Sequence, residues 1–69
     1  MIKVIDIKLN PQEMTADVAL FSDTKSEVTP TAEIVGLPSG YTISAGSSIM
    51  TASGELAFMK SDNSWNWLQ

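Results

Sequence analysis

The chain has 69 residues with four lysines, no arginine, eight Asp plus Glu and a formal net charge of −4, and it contains neither Cys nor His. That length holds one domain at most, expected over residues 1–69, near the size where apolar burial only just offsets the ordering entropy of the chain. The missing residue types exclude disulfide staples, the usual zinc sites and His- or Cys-based nucleophiles, and an acidic chain without arginine is a poor binder of nucleic-acid phosphates.

Ile2–Leu9 (IKVIDIKL) is the clearest strand signal, β-branched and alternating. Alternation places Ile5, Ile7 and Leu9 on a core face, with Val4, Asp6 and Lys8 opposite. Asn10-Pro11-Gln12-Glu13 follows as a turn, because proline fixes its own φ and pushes Asn10 out of the helical region. Thr15–Ser22 then alternates again, Ala16, Val18 and Leu20 against Asp17, Ala19 and Phe21, which predicts an antiparallel N-terminal hairpin. A helix over Pro11–Leu20 is the competing assignment. Ser22–Pro30 is polar and reads as a loop, with at most a short extended piece around Val28.

Thr31–Leu37 reads as a further strand, in which Gly36 is a bulge or an end. Pro38-Ser39-Gly40 is spaced for a tight turn, Tyr41-Thr42-Ile43 is a short strand, and Ala45-Gly46-Ser47-Ser48 allows a bend or a close backbone approach. The C-terminal stretch is a meander, Ser48–Ala52, Glu55–Lys60 and Trp65–Leu68 separated by Ser53-Gly54 and by Ser61–Ser64. Leu56 and Phe58 share one face of it, Ala57 and Met59 the other, and Trp65 lies with Trp67. The expected fold is all-β: a single small antiparallel meander, sandwich or partly open barrel of about five or six short strands.

No constellation reads as catalytic, so the chain is not expected to be an enzyme. Asp6 and Asp17 lie on the wet face of the hairpin, where paired carboxylates are solubilising far more often than reactive. Asp62-Asn63-Ser64 offers oxygen ligands, but one carboxylate falls short of a calcium loop, and a capped hairpin turn explains it. No metal or cofactor is expected. Binding to another chain is the better-supported chemistry. Tyr41, Trp65 and Trp67 suit a stacking platform or protein anchors, although at least one tryptophan is needed as a core plug. Ile49, Met50 and Met59 suit a core and an interface equally well. Ser48–Ala52 carries no charge, so at a sheet edge it would invite pairing with another chain. The partner-binding candidates are therefore Tyr41, Ile49, Met50, Trp65 and Trp67. No apolar run approaches the ~18 residues that span a bilayer, and the early Asp6 interrupts any signal-peptide core, so synthesis in the cytoplasm without a membrane anchor is expected.

Phe21-Ser22-Asp23, Gly36-Leu37-Pro38-Ser39-Gly40-Tyr41, Gly46-Ser47 and Asp62-Asn63-Ser64-Trp65 together form a pattern. It resembles small proteins encoded among the late, structural genes of tailed phages and prophages, chiefly of Gram-positive bacteria, over Thr15 to Trp67. Asn63 departs from the Asp-Gly common there, at a positive-φ position that Asn tolerates. The resemblance implies a virion-associated structural or accessory protein that binds capsid, connector or tail subunits, with a homo-oligomer as a further option and no catalytic residues. Two other classes compete: a carbohydrate- or host-surface-binding module, which needs exposed aromatics on one face, and a small host-directed regulatory protein.

Overall fold

The computed structural model describes residues 1–68, so the domain expected over 1–69 is described up to its penultimate residue. Nine residues of β1 (Ile2–Asn10) and eight of β2 (Thr15–Ser22) form the expected antiparallel hairpin, and the competing helix does not form. Two apolar faces at period two, joined across Asn10-Pro11, satisfy more backbone groups as paired strands than one short amphipathic helix could.

The hairpin contains a β-bulge between Val4 and Asp6 that changes the reading of β1. Before it Ile2 and Val4 stand opposite Ser22 and Leu20; after it Ile7 and Leu9 stand opposite Val18 and Ala16. All four partners on β2 are buried, so one extra residue brings two out-of-phase apolar pairs onto the same side. The core side is therefore Ile2, Val4 and Ile7, with Leu9 on the same side but 41% exposed beyond the core, and Ile5 is 60% exposed on the other.

The remaining strands are β3 (Ile34–Val35), β4 (Thr42–Ile43), β5 (Ser48–Thr51), β6 (Leu56–Met59) and β7 (Trp65–Trp67). They complete one sheet in the order β3-β1-β2-β5-β6-β7, with β4 also on β2. The fold is all-β as expected, but among the described residues the sheet is mixed, has seven strands and does not close into a barrel. The terminal meander is antiparallel as predicted, whereas β1–β3, β2–β4 and β2–β5 are parallel. A 3₁₀ turn at Lys25–Glu27 interrupts the predicted loop, with Glu27 accepting from the Thr24 backbone and hydroxyl. Glu27 also takes the Met1 ammonium, and that hydrogen bond holds its carboxyl below the usual carboxylate range.

β4 and β5 lie end to end along one edge of β2, as a strand broken at Ser44–Ser47. The break is bridged by side chains. The Ser47 hydroxyl is buried and accepts the Val18 N–H at 3.0 Å, standing in for a missing backbone carbonyl, while the Ser44 N–H donates to Ala16 O at 3.0 Å. Gly46 turns the chain there at φ 92°, the bend expected of Ala45-Gly46-Ser47-Ser48.

The core consists of Ile2, Ala16, Val18, Leu20, Ile49 and Ala57 on one side of the sheet. Segments outside the long strands cover it, with Val28, Ala32, Ile34 and Leu37 half-buried against it. Gly36 ends β3 at φ 96° in contact with Val4, where a Cβ would meet the Val4 side chain at 3.2 Å.

Candidate functional site

The five residues named from the sequence separate onto two sides of the sheet. Ile49 is 1% exposed, opposite Leu20 on one side and Ala57 on the other, so it belongs to the core and not to a binding surface. Its neighbour Met50 points the other way and is 48% exposed. Adjacent strand residues must part in this fashion. β5 is also not an edge: β2 and β6 flank it, and its uncharged backbone is fully occupied. The edge position on which pairing of Ser48–Ala52 with another chain depends is therefore not met.

Trp65 and Trp67 stand opposite Met59 and Ala57, on the core side, and both are half-buried against the core together with Tyr41. Small Ala57 makes room for the Trp67 indole, and the Lys25 ammonium sits 4.8 Å from that ring, within cation–π range. Val28, Ala32, Ile34 and Ile43 border a shallow cleft beside the two tryptophans, with a volume of about 300 Å³. Both rings therefore pack in part against the core and in part line this cleft, and Tyr41 lines the adjoining one.

The opposite side of the sheet carries a feature that strand-by-strand reading missed. Register places Val35 beside Lys3, Lys3 beside Phe21, Phe21 beside Met50 and Met50 beside Leu56. The Leu68 N–H donates to Leu56 O at 2.8 Å, which extends the row by one more residue. Phe58 lies in the adjoining row next to Ser48 and Asn66. The outward positions of β5, β6 and β7 are Ser48, Met50, Leu56, Phe58 and Asn66, without a single charge. Phe58 is 39% and Leu68 54% exposed. Lys3 ends the apolar run, its ammonium 5.9 Å from the Phe21 ring. Contiguous apolar surface of this kind, bordered by polar groups, is the usual mark of a protein interface.

Asp17 stands opposite Lys8, and Asp6 opposite Ala19, so the two aspartates of the hairpin do not pair directly. Asp17 also accepts from the Ser44 hydroxyl. At the β6–β7 turn the Asp62 carboxylate accepts from Ser64 N–H at 3.1 Å and Ser64 Oγ at 2.5 Å, while Asn63 takes φ 65°. This is the capped turn anticipated for Asp62-Asn63-Ser64. The Ser64 hydroxyl first, and its N–H second, hold the Asp62 carboxyl below the ordinary aspartate range. A lowered folded-state pKa contributes stability above the unfolded value and loses it as pH falls through the folded one. Ser64→Ala is expected to raise the Asp62 pKa part of the way back, because the N–H contact remains; carboxyl titration by NMR checks this, and an unmoved pKa would refute the assignment.

No family model, curated protein or solved structure matches the chain.

Proposed function

We propose that this chain is a non-enzymatic, virion-associated structural or accessory protein of a tailed phage, binding capsid, connector or tail subunits through the outward face of its sheet. The observation that carries the reading is the uncharged apolar surface of Phe21, Met50, Leu56, Phe58 and Leu68, on the side of the sheet away from the core. Leaving such area in water costs solubility, and burying it against a partner recovers about 25 cal/mol per Å². The resemblance of the turn and tryptophan motifs to those of phage late proteins is what supports this choice of partner class and of the virion as the location.

Mass spectrometry of purified particles of the encoding phage tests this. The expected result is presence at a fixed, symmetry-related ratio to the major capsid protein. A Met50→Asp, Phe58→Asp variant, altered only at exposed positions, is expected to fold and to be missing from the particles. Absence of the unaltered chain from clean particles would overturn the structural reading.

A further inference from the structure

The longest strand of the molecule has an open edge. β2 covers one side of β1 throughout, whereas β3 covers the other side only at Ile2 and Lys3, with Gly36 continuing to Val4. From Ile5 to Asn10 no strand among the described residues lies along that side.

The backbone groups that face this edge follow from their neighbours. Ala16 and Ser22 turn their carbonyls, and Val18 its N–H, toward the β4–β5 side, accepting from Ser44 and Ala52 and donating to Ser47. Asp17 and Ala19 therefore turn toward β1, where they meet Lys8 and Asp6. Ile7 and Leu9 are left pointing outward. Consistent with this, the Ile7 N–H is not in the ladder but donates to the Asp6 carboxylate at 3.0 Å. A natural edge of this length is usually protected, and here the protection is the bulge at Ile5, the charges of Asp6 and Lys8, and the Asp6 carboxylate on the Ile7 N–H.

We propose that β1 pairs antiparallel with β1 of a second copy, about a twofold axis at Ile7. The occupant and the register both come from charge. With the axis at Ile7, outward-pointing backbone meets outward-pointing backbone at Ile7 opposite Ile7, the bulge residue Ile5 lies beside Leu9, and each Asp6 lies opposite Lys8 of the other copy. Non-hydrogen-bonded pairs of this kind bring side chains closest. The neighbouring registers with the same hydrogen-bonding phase centre on Asp6 or on Lys8, and each sets like charges face to face. Self-complementarity about a twofold is what an isologous dimer requires. Asp6 gives up the Ile7 N–H, which then bonds the partner's backbone. The dimer is a continuous fourteen-stranded sheet, twice the seven of one chain. This association rests on β1 alone and does not depend on the virion reading.

Sedimentation of the full chain tests it. The unaltered protein is expected to be dimeric at about 100 µM, and Asp6→Lys or Lys8→Asp alone to weaken the dimer roughly tenfold or more, since symmetry counts each reversed pair twice. Mixing the two single variants is expected to restore a heterodimer, because every cross-strand pair is then opposite in sign. Circular dichroism confirms that each variant is folded, and the mixing result is independent of any intrachain effect of the substitutions. A monomer at about 1 mM, a dimer indifferent to both reversals, or a mixture that stays monomeric would each overturn the proposal.

Discussion

Leu20→Ala is expected to lower the unfolding free energy by about 3 kcal/mol, the cost of losing a buried leucine and leaving a cavity. Leu20 is 2% exposed and stands between Val4 on β1 and Ile49 on β5. It is thus the residue at which the N-terminal hairpin meets the terminal meander. A domain of this length has a total stability on the order of 7 kcal/mol, so the variant keeps little more than half. Urea denaturation measures the effect as a fall in midpoint at unchanged slope. Phe58→Ala, on the outward face, is the control, expected to cost less than about 1 kcal/mol because the ring already contacts water. Equal effects at the two positions would mean that the core lies on the other side of the sheet.

Ser47→Ala removes a single oxygen, yet about 2 kcal/mol is expected, because the Val18 N–H would be left buried without an acceptor. The effect is local enough to be seen where it arises. Amide exchange at Val18 is expected to accelerate by more than at its β2 neighbours, and a Val18 amide protected as before would show that the hydroxyl does not complete the ladder. Ser44→Ala gives the comparison. Its hydroxyl meets Ala16 O and the Asp17 carboxylate, but the Ser44 N–H to Ala16 O bond survives the substitution, so roughly 0.5 kcal/mol is expected.

Local pairing was legible in the residues and distant pairing was not. Alternation in Thr15–Ser22, the Asn10-Pro11 turn and the Ser53-Gly54 hairpin each act within a few residues, and the hairpin and meander formed where predicted. Period two states which residues share a face, but it does not say which strand lies alongside. That is why the residues of Ser48–Ala52 leave open whether the strand lies at an edge or, as in the structure, at the centre, and why the parallel contacts of β2 with β4 and β5 leave no signal. The bulge at Ile5 misled for a related reason: Ile2, Val4, Ile5, Ile7 and Leu9 contain two alternating phases, and choosing the later one for the whole strand put Ile5 on the wrong side.

The binding residues divide in the same way. Ile49 and Met50 were ambiguous one at a time, yet alternation requires them to face apart, and the small Ala57 opposite Ile49 marks the tightly packed side. The apolar row through Phe21, Met50, Leu56 and Leu68 comes from four separate stretches of chain, so only the register assembles it. Half-burial of both tryptophans follows from the shortage of large apolar side chains in so small a core.

The seam where β2 meets β5 in parallel joins residues such as Leu20 and Ile49, far apart in the chain, while the pairings on either side of it are hairpins. Hairpins close in microseconds or so; a parallel contact across a long connection must first overcome the entropy of closing that loop. Pairing of β2 with β5 is therefore expected to be the slow step of folding, at a rate set by the length and stiffness of the segment from Asp23 to Ser47 that links them.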